Sequence, residues 1–192
     1  MLRPILFAIV IGACCVTGLA PAPRSVFAQD SAAKRLSDWA KAAPKRFAFT
    51  QERHLSVLSH PIVSHGVISR RNDRTIEWHQ TDPIDTTVVI GPNGIKSGPD
   101  EVSDALQGAV SSIAGAVLDV FYGRYDHLAS LFEIHEMAGH VVLLPLDPTL
   151  SKVIQGIQLD GAEQLNKITL IEKSGDSTVI KLMPKATRGH SK

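Results

Sequence analysis

The chain has 192 residues, of which 44% are hydrophobic, and it carries 20 Lys and Arg against 19 Asp and Glu. A chain this close to neutrality offers no basic field to a nucleic acid, so nucleic-acid binding is excluded as a leading role. Its two cysteines, Cys14 and Cys15, lie within the first 28 residues, so the rest of the chain cannot rely on disulfides.

Residues 1–28 are predicted to be a secretory signal peptide that is cleaved from the mature protein. Arg3 gives a short positive start, residues 5–19 form an almost unbroken apolar run, and Val26-Phe27-Ala28 is a small-x-small cleavage signal. Cleavage leaves 164 residues, with 18 Lys and Arg against 19 Asp and Glu once Arg3 and Arg24 are removed. A domain of this length buries roughly 70% of its unfolded surface, which is sufficient without disulfides. We therefore expect an exported protein with a core of its own.

Two other interpretations of this segment remain open. A retained membrane anchor is disfavoured, because the apolar run falls short of the roughly 20 residues that a spanning helix needs, and Pro21 and Pro23 interrupt it. Lipid attachment at Cys14, within Ile11-Gly12-Ala13-Cys14, would instead tether the mature protein to a membrane, although the segment before Cys14 is short for that role.

The mature chain begins with a predicted helix. Asp30 and Ser31 are suitable N-terminal caps, an apolar stripe follows at helical spacing, and Pro44 ends the helix at about residue 43. Strands separated by turn residues then follow in quick succession. We predict these strands at about residues 45–57, 62–71, 74–80 and 86–90.

After Pro99 the pattern changes to a helix over residues 103–121. Its apolar residues recur at helical spacing: Leu106, Ala109, Val110, Ile113, Ala114, Val117, Leu118 and Phe121. Gly108 and Gly115 each lower its intrinsic helicity by about 1 kcal/mol relative to alanine, so the helix must be held by packing. It is either an ordinary core helix over one face of a sheet or a movable lid over an apolar cavity. A short second helix is predicted over residues 126–132.

Strands return in the last third of the chain, and the whole mature chain is predicted to be one α+β domain. We place these strands at about residues 133–137, 140–146, 154–160, 165–173 and 177–183. Short connections favour an antiparallel sheet. The domain spans residues 29–183, and residues 184–192 are predicted to be a disordered tail.

Two strands show no alternation of apolar and polar residues, namely 86–90 and 141–144. A sheet with one face in water should alternate, so we expect these strands to be covered on both faces or to curve around something apolar. A curved sheet of about eight strands can enclose a ligand cavity.

No metal or cofactor site is predicted. The segment His135-Glu136-Met137-Ala138-Gly139-His140 has its histidines at i and i+5, whereas the zinc-protease signature needs i and i+4 on a helix. Ala138-Gly139 indicates a hairpin instead. His54, His60 and His65 with Glu52 lack a fixed ligand spacing, and we interpret them as polar rim residues.

No catalytic group is predicted either. Ser31-Ala32-Ala33-Lys34 matches a serine–lysine motif of penicillin-binding enzymes, but its companion motifs are absent. Trp78, Phe47 and Phe49 are either plain core or the lining of a cavity. Arg70, Arg71 and Arg74 cluster at a turn, where such arginines are usually solvated.

The order of short motifs resembles that of the LolA-like lipoprotein-carrier family, in a divergent branch. The opening block has an F-x-Q element, a hairpin strand with a glycine, and a strand with an aromatic residue shortly before a proline. These elements are Phe49-Thr50-Gln51, Gly66, Trp78 and Asp82-Pro83. Further similar stretches follow in the family's order: Asp73-Arg74-Thr75-Ile76, the segment 121–128, the segment 142–148 and Gly175-Asp176-Ser177-Thr178.

The resemblance implies an incomplete, half-open antiparallel β-barrel with helices covering its concave side. It further implies a periplasmic protein, and an arginine that bonds the lid helix in the closed form. Arg71 is the nearest candidate for this latch and Arg74 the next. The family's arginine is followed by proline, whereas Arg71 is followed by Asn72, so the register of the latch remains open.

The function that follows is a periplasmic carrier. It would bind the acyl chains of a lipoprotein or (glyco)lipid non-covalently and deliver them from an inner-membrane exporter to an outer-membrane acceptor. Each buried methylene contributes roughly 0.8 kcal/mol, so a chain of about 16 carbons represents about 13 kcal/mol. The expected cavity lining comprises Phe47, Phe49, Ile76, Trp78, Val88, Ile90, Leu106, Val110, Ile113, Val117 and Phe121.

The alternative is a periplasmic sensor or adaptor that uses the same fold to regulate a protein partner. In either case we expect a monomer that is not an enzyme and needs no cofactor. The sequence leaves the cargo, the donor and the acceptor open.

Overall fold

The structure, a computed structural model, describes residues 26–72, 74–92, 94–97, 104–137 and 139–185, with the side chains of 26–29, 96–97 and 104–111 excepted. Its helices are α1 (Val26–Ala42), α2 (Asp104–Tyr122), α3 (Tyr125–Leu131) and α4 (Leu150–Val153). Its strands are β1 (Arg46–His54), β2 (Ile62–Arg70), β3 (Ile76–Asp82), β4 (Thr86–Gly91), β5 (Gly94–Ser97), β6 (Phe132–Met137), β7 (His140–Pro145), β8 (Ile154–Asp160), β9 (Lys167–Glu172) and β10 (Ser177–Pro184).

The strands of the described residues form one antiparallel sheet in the order β5-β4-β3-β2-β1-β10-β9-β8-β7-β6. Two five-stranded meanders are joined through β1 and β10, which pair over eight residues from Phe47↔Pro184 to His54↔Ser177. The end strands β5 and β6 do not pair with each other, so the barrel stays open. The predicted α+β class with a half-open antiparallel barrel is therefore confirmed.

The core lies between one face of this sheet and the helices. In α1 the apolar residues Ala32, Leu36 and Trp39 recur at i, i+4 and i+7 and are buried, as expected for an amphipathic helix packed on a sheet. They belong to the same core as Phe121 of α2 and Leu128 of α3. Among the described residues, no helix is both long and apolar enough to span a bilayer.

The main predicted elements are found, with shifts at their ends. The first helix begins at Val26, four residues before the predicted cap at Asp30. The sequence patterns missed two short elements, β5 and α4. At the other end Pro184, the predicted start of the tail, is the last residue of β10, and residues 186–192 lie outside the described part.

Of the two alternatives for the segment 141–144, coverage on both faces is not found. Val141 and Leu143 are fully buried, whereas Leu144 on the opposite face is 40% exposed. Apolar side chains also contribute to the exposed surface of folded proteins, so a continuous apolar run does not require two covered faces.

Candidate functional site

The candidate site is the apolar region where α2 packs against β4, next to β3 in the sheet. At the C-terminal end of α2 this region is closed. The rings of Phe47 and Phe121 meet edge to face with their centroids 5.5 Å apart, and both side chains are fully buried. Ile76 and Ile90, a cross-strand pair, are buried beside them in the same core.

On the sheet, burial falls with distance from this closed end. The cross-strand pairs along β3 and β4 run from the buried Ile76↔Ile90 to the half-buried Trp78↔Val88, and then to the polar Gln80↔Thr86. Because paired residues spaced by two lie on the same face, these six side chains line one continuous surface. That surface is apolar and buried at one end, and polar and half-buried at the other.

On α2 the apolar stripe is buried unevenly: Ala114 and Leu118 are buried, whereas the residues beside them at 113 and 117 are less so. Phe121 is fully buried, whereas Val117 and Ile113, one and two turns earlier, are only half-buried. Leu106 and Val110, predicted on the same stripe, have side chains outside the described residues. We call the four half-buried apolar residues Trp78, Val88, Ile113 and Val117 the rim.

The wall beside Trp78 is built by a close approach of two strands. The Phe49 ring lies 4.9 Å from the Trp78 ring, centroid to centroid, and its edge lies against Gly66. A Cβ at Gly66 would lie 2.1 Å from the His79 carbonyl oxygen and 2.6 Å from the Phe49 ring. Only glycine therefore fits at this position in β2.

The eleven residues predicted to line a cavity thus separate into three groups. Those fixed in close packing are Phe47, Phe49, Ile76, Ile90 and Phe121; those at the rim are Trp78, Val88, Ile113 and Val117; those outside the described side chains are Leu106 and Val110. Whether they contact a ligand stays a prediction.

The residue that ties the helices to the sheet at the closed end is Arg70, which the sequence did not single out from its neighbours. Its guanidinium Nη1 donates to the carbonyl oxygens of Ala43 at 2.8 Å and Ala40 at 3.3 Å, at the end of α1. The same guanidinium lies 4.9 Å from the centre of the Tyr122 ring in α2. Arg70 therefore joins β2, α1 and α2.

The two predicted latch arginines have other surroundings. The Arg71 side chain pairs with Glu77 of β3, and the Arg71 carbonyl lies 2.7 Å from the Tyr122 hydroxyl. Arg74 is exposed and has a φ of 60°, in the left-handed region. Alternation along β2 could have distinguished Arg70 from Arg71 and Arg74 in the sequence. Arg70 lies on the same face of β2 as Gly66 and Ile68, and that face packs against the helices.

A separate, polar cleft of about 430 Å³ lies on the outer side of α1. Arg35 pairs with Glu136 of β6 at 2.6 Å, and Trp39 donates from its indole nitrogen to the Ala162 carbonyl at 3.3 Å. A hydrogen bond from Ser31 lowers the pKa of Glu136; burial opposes this effect, and Arg35 reinforces it. Four of the charged side chains that line the cleft pair with one another, as Arg35–Glu136 and Lys34–Asp38.

The histidines considered as metal ligands lie on strands and loops. His135 and His140 flank the β6–β7 hairpin, as predicted. Within the part of the chain that the structure describes, no three His, Cys, Asp or Glu side chains are gathered closely enough for a metal ion.

Comparisons with known proteins found similarity only at the level of structure. No protein-family model and no curated protein matches the chain. Among solved structures, it is similar to a LolA superfamily protein from Nitrosomonas europaea, with 9% identity, a TM-score of 0.43, and coverage of 81% of this chain and 94% of the other. It is also similar to LprF from Mycobacterium bovis, with 15% identity, a TM-score of 0.38, and coverage of 86% and 99%.

A third similar structure is the MucA/MucB complex of Pseudomonas aeruginosa, with 15% identity and a TM-score of 0.42. The match covers 81% of this chain and 59% of that one, so this chain spans less than two thirds of its length. The LolA superfamily is thus among the proteins that the chain resembles, as its motifs predict. Similarity at this level defines no ligand, partner or activity.

Proposed function

We propose that the protein is a periplasmic carrier that holds the acyl chains of a lipoprotein or (glyco)lipid between α2 and the sheet and delivers them from the inner to the outer membrane. The observation that supports this proposal is that large apolar side chains packed against the core are only half-buried, both on the sheet and on α2. Trp78 and Val88 on the sheet and Ile113 and Val117 on the helix keep apolar surface in contact with water.

Hydrophobic burial supplies the driving force for loading. Covering the rim with a hydrocarbon chain removes apolar surface of the ligand and of the protein from water at once, at roughly 25 cal/mol per Å². Release requires that the site does not bind much more strongly than a bilayer does. A groove that is closed at one end and open at the other suits that requirement, because part of the chain stays near the surface.

Loading beyond the rim requires α2 to move away from the sheet. Its C-terminal end is held by the Phe47–Phe121 ring contact and by the Arg70 guanidinium over the Tyr122 ring. The Tyr122 hydroxyl also lies near the carbonyls of Arg71 and Thr75. We expect this end to act as the fixed point and the N-terminal part of α2 to swing.

The proposal is tested by filling the groove at its rim. Ile113→Trp adds a large ring between α2 and the sheet, and we expect it to reduce binding of a fluorescent palmitoyl probe by about tenfold or more, since the added ring occupies the ligand's volume. The matched control is Leu144→Trp, which adds the same ring on the exposed outer face of β7. Equal probe binding by the wild type and Ile113→Trp, with both folded, would refute a groove at this place.

The export route is part of the proposal. A signal peptide removed after Ala28, a monomeric mature protein, an inner-membrane exporter as donor and an outer-membrane acceptor would all follow from the carrier role. Intact mass of the protein recovered from a periplasmic extract distinguishes cleavage after Ala28 from lipid attachment at Cys14, because the two products differ in their first residue and in mass.

A second candidate, an adaptor that binds a protein partner, is favoured by one observation. Large apolar side chains stand exposed on two neighbouring loops at one end of the sheet, with Val57 85%, Leu58 49% and Ile84 69% exposed. Exposed apolar clusters mark contacts with proteins or membranes. Transfer of acyl lipid between two vesicle populations supports the carrier, whereas a stable protein complex without any lipid transfer supports the adaptor.

A further inference from the structure

A second cleft lies on a face of α2 that neighbours the rim. Its volume is about 310 Å³, and it lies between α2, the β4–β5 turn and α3. Ser112, Gly115 and Leu118 of α2 line one side, and Gly91 and Pro92 of the turn line another. The third side carries two basic side chains, Arg124 and His127. The cleft thus combines small uncharged walls with one basic wall.

Gly115 keeps this cleft open at a cost to the helix. Glycine inside a helix is unfavourable relative to alanine, and close packing is the usual reason to keep it there. Here a Cβ built at position 115 meets no atom within 4 Å. Gly115 is therefore a helix-weakening residue that close packing does not explain. Positions of this kind are typical of functional sites.

The basic wall is fixed by a buried carboxylate. The Asp119 side chain is fully buried in α2, with the Arg124 guanidinium against its Oδ1 and the His127 Nδ1 2.5 Å from its Oδ2. Asp119 Oδ1 has this ion pair but no hydrogen bond of normal geometry. Because a carboxylate only accepts, His127 donates from Nδ1, and Nε2 is left as its other ring nitrogen.

A buried ion pair is by itself weak evidence of a stabilising role, but it holds its two side chains in fixed positions. Arg124 and His127 keep 31% and 57% of their side-chain surface exposed while they line the cleft. A guanidinium held in a fixed orientation offers several donors to an oxyanion, and arginine suits phosphate in particular.

We propose that this cleft binds a small phosphate-bearing group, held by Arg124 and His127 and accommodated by the space that Gly115 leaves. The site is independent of the acyl groove, since it uses another face of α2. The phosphate can belong to a lipid headgroup or to a free phosphate ester, and the test distinguishes the two.

The experiment is an NMR titration of the full-length mature protein with three probes: inorganic phosphate, glycerol 3-phosphate and dihexanoyl phosphatidic acid. We expect saturable shifts of the Gly115 amide and the His127 ring that weaken in high salt, as a charge interaction does. Tighter binding of the short lipid than of the two soluble probes would assign a headgroup. Equal or tighter binding of glycerol 3-phosphate would assign a free ester.

Two variants test the site without relying on each other. Gly115→Leu fills the cleft, leaves the ion pairs in place and favours the helix, so we expect a folded protein that no longer responds to any probe. Arg124→Gln removes the guanidinium and should weaken binding by about tenfold, as loss of a charge-assisted hydrogen bond does. Because it also leaves the buried Asp119 carboxylate without this partner, its binding is read only after circular dichroism shows a folded protein. The control Arg53→Gln removes an arginine that pairs with Glu172 elsewhere on the sheet. Absence of saturable shifts in the wild type, or binding that Gly115→Leu leaves intact, would overturn the proposal.

Discussion

Gly66 and Gly115 are both glycines inside regular elements, but their surroundings differ. Gly66 in β2 faces the His79 carbonyl and the Phe49 ring at distances that no Cβ tolerates, whereas Gly115 in α2 faces open space. We expect Gly115→Ala to raise the free energy of unfolding by up to about 1 kcal/mol, through helix propensity alone. Gly66→Ala should lower it by about 3 kcal/mol or more, because two strands must separate. Urea denaturation of both variants checks the contrast, and a neutral Gly66→Ala would show that β2 and β3 approach less closely than described.

Arg70 is expected to be the arginine on which the closed end depends. Arg70→Ala removes the bonds to the Ala43 and Ala40 carbonyls and the contact with Tyr122, so unfolding should become easier by about 2 kcal/mol. Arg70→Lys should recover only part of this, because an ammonium cannot span two carbonyls and stack on a ring. Arg53→Ala is the control, since that arginine is half exposed and its pair should contribute under about 1 kcal/mol. Similar losses in Arg70→Ala and Arg53→Ala would contradict the role given to Arg70.

Asp160 should make the stability of the fold sensitive to acid. Burial acts to raise its pKa, but hydrogen bonds from Gln158, Lys167 and His140 together hold the pKa below its ordinary value. A lowered folded-state pKa contributes stability that is present above the unfolded value of about 3.9 and is lost as the pH falls through the folded value. Asp160→Asn should therefore cost about 1–2 kcal/mol at neutral pH and flatten the acid side of the stability curve. Parallel acid limbs for the variant and the wild type would show that Asp160 carries no such charge-dependent contribution.

At the scale of elements, α2 is expected to be more firmly held at its C-terminal end. The Tyr122 hydroxyl lies 2.7 Å from the Arg71 carbonyl and 2.9 Å from that of Thr75, both in the β2–β3 connection. Tyr122→Phe keeps the ring under Arg70 and removes these hydrogen bonds, at about 1 kcal/mol. We expect faster amide hydrogen exchange over residues 117–122 and faster uptake of a palmitoyl probe. Tyr125→Phe on α3 is the control. Unchanged exchange in Tyr122→Phe would show that this hydroxyl does not hold the C-terminal end of α2.

The order of elements followed from the sequence, and the details that did not follow have physical reasons. Periodicity located the long helices and most strands, because the core selects one face of each. It missed β5, which has four residues, and α4, which has the same length, since neither spans enough of a period. The role of Arg70 was recoverable from strand parity alone, whereas its partners Ala40, Ala43 and Tyr122 are set by tertiary packing.

For the candidate site, the sequence predicted which residues share a surface but not how far that surface is filled. Phe47, Phe121 and Ile76 are apolar and correctly phased, and so are Trp78 and Val117. Tertiary packing alone makes the difference in burial: Phe47, Phe121 and Ile76 are buried, whereas Trp78 and Val117 are half-buried. The space left for a side chain between α2 and the sheet depends on the angle at which α2 crosses the sheet. No local sequence pattern encodes that angle.

At the scale of the whole molecule, the sheet is half a barrel with its concave side covered by helices. The proposed carrier function depends on an apolar groove beside α2. The most direct test is mass spectrometry of lipid extracted from mature wild-type protein purified without detergent from a periplasmic extract, beside Ile113→Trp purified in parallel. We expect acyl lipid near one equivalent in the wild type and a clear reduction in the variant. Lipid-free wild-type protein under several gentle conditions, or equal lipid in both proteins, would contradict it.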